Sequence, residues 1–186
     1  MSSTPLTPFS HVVLVLVGEG GAGPHDLVRM ARQGRVYWDA ADSQYYAEPK
    51  RLARLGYLEA RKEPGMTRER TVYRLTEKGL DALRDYARTP ASFTPLKSEP
   101  LLRLLIADLV GEAATRESIR ALRTDLADLR ARLDTSEESA ATLPHRAKYL
   151  RIVIEFLRRY LDLHEELIDD VERELASPST GMRSDS

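Results

Sequence analysis

The sequence predicts a mainly α chain with one small β-hairpin, in which a basic helix-and-hairpin unit precedes antiparallel coiled-coil helices. Three observations carry this. Asp42 to Leu55 has helical spacing and is followed by two alternating runs, Tyr57 to Lys62 and Arg70 to Leu75, around a Pro-Gly turn signal. A proline-rich joint, Thr89 to Pro100, separates that front from everything after it. Beyond the joint, apolar residues recur at steps of three and four over two long segments.

Composition bounds the function classes. The chain has 186 residues, 42% apolar and 31% charged, which is ordinary for a globular protein. No apolar run approaches the roughly 20 residues of a membrane span; Val12 to Val17 is the main one, and no signal-peptide pattern opens the chain. A cytoplasmic protein is expected. Without cysteine there is no disulfide framework, thiolate nucleophile or cysteine zinc site. Charge is uneven: residues 1–90 carry 14 Lys and Arg against 11 Asp and Glu, and residues 91–186 carry 14 against 18. The excess of cations thus lies in front, the side expected to meet nucleic acid.

In chain order, Thr7-Pro8 offers an N-cap and first-turn proline for a helix through Val17, whereas the β-branched run Val12 to Val17 has strand propensity. Pro24 opens a short helix, His25 to Gln33, that stops at Gly34. Between them Gly18, Gly20 and Gly23 satisfy G-x-G-x-x-G, with Asp39 near the acidic position of a dinucleotide-binding unit. A doubly wound sheet needs further strand-helix repeats; none follow, and the glycines are read as a turn.

The helix from Asp42 is expected to bury Tyr45, Pro49, Leu52 and Leu55 and to turn Ser43, Gln44, Ala47, Lys50, Arg51 and Arg54 outward. Small, amide and cationic side chains on one face are the groups that reach base edges and phosphates. Tyr46, beside the buried Tyr45, is expected to reach a phosphate oxygen. The hairpin adds Arg61, Lys62, Arg68 and Arg70. Tyr37 and Trp38 are read as packing the second helix against the third, with an aromatic effector pocket as the alternative. Thr76 caps a helix, Glu77 to Arg88, with Leu80, Leu83 and Tyr86 inward.

Leu101 to Val110 reads as one helix that is apolar on nearly all sides. Ile119, Leu122, Leu126, Leu129 and Leu133 form one seam. The last helix, His145 to Leu175, forms another at Leu150, Ile154, Leu157, Leu161, His164, Ile168, Val171 and Leu175, with more apolar residues at Val153, Phe156, Tyr160 and Leu167. That face is too wide for one neighbour, so a homodimer is expected, with dimerisation assigned to the seam from Leu150 to Val171. His164 sits in this seam either as a tolerated polar residue or as a pH-sensitive contact. His11, His25, His145 and His164 have no second ligand at metal spacing, and no nucleophile-base pair or phosphate loop is found, so no catalytic residue, metal or cofactor is assigned. The expected domains are 1–90, a joint at 91–100, helices at 101–176 and a disordered tail at 177–186.

The order of elements resembles the PadR family of winged-helix transcriptional regulators over most of the chain. The resemblance rests on Asp42-Ser-Gln-Tyr-Tyr46, Lys50-Arg-Leu52, Gly56-Tyr-Leu58, Tyr73-Arg-Leu-Thr-Glu-Lys-Gly79, Tyr149-Leu-Arg151 and Phe156-Leu-Arg-Arg-Tyr-Leu161. It implies an N-terminal winged helix-turn-helix, C-terminal dimerisation helices and a helix at Val12 to Val17. It also implies double-stranded DNA with a palindromic operator as the partner, repression relieved by a small-molecule effector, and recognition through Ser43, Gln44, Tyr46, Lys50 and Arg51 with the wing cations on flanking backbone. Two departures from the family pattern stand out: Gly23-Pro-His-Asp-Leu27 at the start of the second helix, and Pro49 inside the third, where a lost backbone donor is a site for a kink. The alternative function is a protein-interaction scaffold with no specific DNA site.

Overall fold

Thr7 begins the first element for the reason its sequence suggests. Its hydroxyl accepts from the Ser10 backbone N–H at 3.2 Å while the Ser10 hydroxyl accepts from the Thr7 N–H at 2.9 Å, closing a capping box ahead of Pro8. Helix α1 (Pro8–Val17) then runs through the β-branched stretch. Burial of Val13, Leu14 and Val17 against the neighbouring elements outweighs the few tenths of a kcal/mol per residue by which such side chains disfavour a helix. The computed structural model describes residues 6–176 apart from 19, 34–37, 39, 65–68 and 142. Gly34, Tyr37, Asp39, Arg68 and the tail at 177–186 lie outside the described residues.

Helices α2 (Pro24–Gln33) and α3 (Asp42–Arg54) follow, then strands β1 (Leu58–Glu63) and β2 (Arg70–Leu75) and helix α4 (Glu77–Arg88). The strands are antiparallel, with Leu58 opposite Leu75 and Glu63 opposite Arg70. Tyr45, Leu52, Leu58 and Tyr73 close the core over Val13, Leu14, Leu27 and Val28. Phe9 of α1 ties Trp38 into this unit, stacked at 6.5 Å, and meets Tyr45 edge-on at 5.0 Å, so the contact of Trp38 is with the first helix and not the expected one between the second and third. Tyr86 does not turn inward; it is 54% exposed and stacks on His11 at 4.1 Å, a surface contact between α4 and α1.

The glycine-rich stretch does more than turn the chain. Ala22 exchanges two backbone hydrogen bonds with Tyr73, at 3.0 and 2.9 Å, and so pairs with β2 as an isolated third rung of the hairpin sheet. Gly21 sits at φ +80°, and a Cβ there would come within 2.9 Å of the Tyr73 carbonyl; at Gly23 it would meet the Thr71 carbonyl at 3.1 Å. These glycines let two backbones approach. The start of α2 is occupied by the Asp26 carboxylate, which accepts from the Gly23 N–H at 3.1 Å.

The first compact unit spans Met1–Phe93 and the second Thr94–Ser186. In the second, the apolar stretch expected as one helix is two: α5 (Glu99–Leu105) and α6 (Ala107–Val110), parted at Ile106 and ended by Gly111 at φ +102°. Only Ala107 of α6 is buried. Helices α7 (Glu112–Arg120) and α8 (Leu122–Ala141) lead to α9 (Ala147–Glu174). Ile119, Leu126, Leu133 and Ala140 are buried at heptad steps, and facing them Ile154, Leu157, Leu161, Ile168 and Val171 are buried along α9. Ion pairs Arg123–Asp169 at 2.6 Å and Arg130–Asp162 at 2.7 Å step seven residues forward on α8 and seven back on α9, which fixes an antiparallel register. Exposed pairs of this kind contribute little to stability, so the buried seam holds the hairpin and the charges select its register.

This corrects the expected use of the seam. Ile154, Leu157, Leu161, Ile168 and Val171 are buried, and Leu150 and His164 half-buried, inside a single chain. The open face of α9 lies one residue over, at Tyr149, Ile152, Val153 and Phe156, all exposed. Among the described residues no helix is long and apolar enough to cross a membrane.

Candidate nucleic-acid interface

Helix α3 is amphipathic in the manner its spacing requires. Tyr45, Pro49 and Leu52 are buried, while Ser43, Ala47, Lys50 and Arg54 recur at steps of four and three on the opposite, exposed face, with Gln44 beside them. The helix is continuous through Pro49, whose ring is packed into the core. Among the described residues, Lys50 and Arg54 have neither an ion pair nor a side-chain hydrogen bond, and neither do Ser43 and Gln44. Two free cations one turn apart beside a hydroxyl and an amide can meet phosphates and base edges without first breaking an internal bond.

Arg51 is the correction within this helix. It was expected to point outward with Lys50, but its guanidinium turns inward and grips Glu48 through two hydrogen bonds, Nε to Oε2 at 2.8 Å and Nη2 to Oε1 at 2.6 Å. Nη2 also reaches the Ser10 hydroxyl at 2.9 Å, and that hydroxyl donates to Glu48 Oε1 at 2.7 Å. Ser10 is fully buried on α1, so the three side chains tie α3 to α1. The paired Arg51 holds the Glu48 carboxyl below its ordinary range, the Ser10 hydroxyl adds to this, and partial burial opposes both. Glu48 in turn raises Arg51.

A pH-dependent contribution to stability follows. With its folded pKa depressed, Glu48 stabilises the fold above the ordinary carboxylate range, and this is lost as pH falls through the folded value. Glu48→Gln is expected to cost about 1–2 kcal/mol at pH 7. The gap between wild type and variant should narrow as pH falls below the ordinary carboxylate range and through the depressed folded value. Urea unfolding followed by Trp38 fluorescence checks it, and a gap that does not narrow with falling pH would refute the assignment.

Tyr46 is half-buried and exposes its hydroxyl, which lies 2.9 Å from Nδ1 of His25 on α2. The rings meet edge-on at 5.6 Å. His25 therefore orients Tyr46 at the edge of the α3 face, a pairing between residues 21 apart that spacing alone does not reveal.

The hairpin cations divide. Lys62 is exposed and has no partner among the described residues. Arg61 pairs with Glu59 at 2.8 Å, and Arg70 reaches Asp26 at 3.3 Å, with Arg29 on the other oxygen of that carboxylate at 2.9 Å. Arg70 thus anchors β2 to the start of α2. Arg74, outside the expected set, bridges to Glu63 at 3.0 Å. Arg32 pairs with Asp42 at 2.6 Å and joins the end of α2 to the start of α3. Arg29 and Arg32 are exposed cations of α2 that local spacing assigns no role, and Arg32 reaches the start of α3 through Asp42.

No protein-family model matches the chain, and no curated protein matches it in sequence. Solved structures do. Bacillus subtilis PadR in complex with operator DNA superposes with a TM-score of 0.69 at 20% identity, covering 90% of this chain and 99% of that one. The same protein with p-coumaric acid gives 0.59 at 18%, covering 92% and 99%. A PadR-like transcriptional regulator from Bacillus cereus gives 0.65 at 16%, covering 95% and 98%. The chain therefore has the fold of the PadR-type transcriptional regulators, a winged helix-turn-helix followed by a helical C-terminal unit.

Proposed function

We propose that the chain is a dimeric, effector-responsive transcriptional repressor of the cytoplasm that binds a palindromic operator. Helix α3 enters the major groove, and Lys62, with its neighbours Arg61 and Arg70, lies along the flanking backbone. The observation that carries this reading is the partner-free stripe of Ser43, Lys50 and Arg54 on α3, standing over a hairpin of the winged-helix type. It is supported by the likeness in fold to a protein seen on operator DNA. Arg51 drops out as a contact, because freeing it would leave Glu48 partly buried without its partner. Tyr46 is proposed as a phosphate contact oriented by His25. No enzymatic step, metal or cofactor enters this reading.

Dimerisation is proposed through the exposed Tyr149, Ile152, Val153 and Phe156 of α9. Four large apolar side chains over two turns of one face are too much contiguous surface to leave in water. A palindromic operator and a two-fold dimer share one symmetry, which lets two modest α3 faces act together.

The test begins with selection of bound fragments from the source genome, then fluorescence anisotropy on an enriched fragment. The double variant Lys50→Ala, Arg54→Ala should bind about 10- to 100-fold more weakly per half-site and lower the salt slope by about two. Unchanged affinity in the double variant would remove α3 as the reading helix. If no fragment is enriched, the chain is a scaffold.

A further inference from the structure

We propose that the cleft between residues 96–101 and the C-terminal half of α9 binds a small apolar or aromatic amine as its cation. The cleft holds about 240 Å³ and is walled by Leu96, Leu101, Leu163 and Leu167. Its polar groups are Ser98, Tyr160, His164, Glu166 and Asp170, and no lysine or arginine lines it.

These polar groups are chiefly acceptors. His164 Nδ1 lies 2.8 Å from the Tyr160 carbonyl oxygen, and a carbonyl only accepts, so Nδ1 carries the hydrogen and the neutral ring keeps Nε2 as an acceptor. Asp170 is engaged by Arg173, whereas Glu166 has no ion pair or hydrogen bond among the described residues. One uncompensated carboxylate therefore faces an apolar cleft of modest size. A carboxylate ligand would find no cation there and would lie beside a like charge. An ammonium would gain Glu166 as counter-charge, Nε2 or a hydroxyl as acceptor, and the Tyr160 ring for a cation–π contact. Its apolar body would cover the leucines, which carry most of the wall. The preference is thus opposite in charge to that of a carboxylate ligand such as the p-coumaric acid found with the Bacillus subtilis protein.

Binding of the amine stands on this cleft alone; its use as the effector rests on the regulator reading above. The test titrates the full-length protein with 2-naphthylmethylamine and, separately, with 2-naphthylacetate, following naphthyl fluorescence. The amine should bind at least about tenfold tighter than the acid, and Glu166→Gln should erase most of that preference. Leu167→Trp, which fills the cleft, should abolish binding while helical circular dichroism is retained. Equal binding of amine and acid, or amine binding indifferent to Glu166→Gln, overturns the proposal. So does an absence of binding to the full-length protein, the result expected if a second copy's side chains occupy the cleft. The same amine is then added to the DNA-binding assay. Binding without a change in DNA affinity keeps the site and removes its regulatory use. A protein that binds no DNA at all removes the regulator reading and leaves the titration standing.

Discussion

Ile152→Asp combined with Phe156→Asp is expected to convert the protein to a monomer and to weaken operator binding by about a thousandfold. Both residues are two-thirds exposed in the single chain, at 67% and 66%, so charge placed there meets water in the monomer and costs the fold little. In a dimer the same charges would be buried opposite their copies, unpaired and mutually repelling, which costs several kcal/mol. DNA affinity falls with the dimer because the second α3 then no longer binds at a high effective concentration, an advantage of roughly 10²- to 10⁴-fold. Sedimentation velocity at micromolar protein reads the first effect and anisotropy the second. Leu157→Asp supplies the contrast: Leu157 is buried on the adjacent seam, and that variant should lose helical structure. A double variant that remains dimeric would show that the contact lies elsewhere.

Gly79→Ala is expected to destabilise the first unit by about 3 kcal/mol, although the exchange inside a helix ordinarily favours alanine by about 1 kcal/mol. Gly79 is in the first turn of α4, where its amide donates to the capping hydroxyl of Thr76 at 3.1 Å. A Cβ there would lie 2.2 Å from the carbonyl oxygen of Tyr57, with a Leu75 methyl at 3.2 Å. The Tyr57 carbonyl cannot retreat freely, because it accepts from the Thr76 N–H at 3.2 Å while the Thr76 hydroxyl holds the neighbouring Gly56 carbonyl at 2.7 Å. The clash must therefore move α4 away from the start of β1 and loosen the hairpin. Gly20→Ala is the control, since nothing lies within 4 Å of a Cβ at that position, and its effect should stay below about 0.5 kcal/mol. Urea unfolding followed by Trp38 fluorescence compares them. An unchanged midpoint for Gly79→Ala would mean that α4 does not sit this close to Tyr57.

Much of the fold was legible because its elements obey local rules. Thr7 and Thr76 cap the helices that begin after them. Asp42–Arg54 keeps its apolar side at Tyr45, Pro49 and Leu52, and Arg70–Leu75 alternates. The heptad steps of α8 and α9 follow from sequence period alone. The α3 face was legible in part: a period of 3.6 places Ser43, Lys50 and Arg54 on one side, but it assigns Arg51 an orientation without knowing that Ser10 and Glu48 stand within reach. Ser10 is 41 residues from Arg51, and no local pattern encodes that distance. The pairing of Ala22 with Tyr73 leaves no local signal for the same reason, since one residue has no period.

The order of elements, the outward stripe of α3 and an apolar face on the last helix too wide for one neighbour all follow from the amino-acid sequence. These are properties of one element, and side-chain period and capping chemistry suffice for them. Tertiary structure alone decided which seam is used inside the chain, which cations are already paired, and which glycines touch another backbone. Each of these depends on a partner distant in sequence. Apolar spacing shows that a face must be covered, and only packing shows what covers it: α8 packs along α9 and buries Leu157, Leu161 and Ile168, leaving Ile152 and Phe156 as the open face.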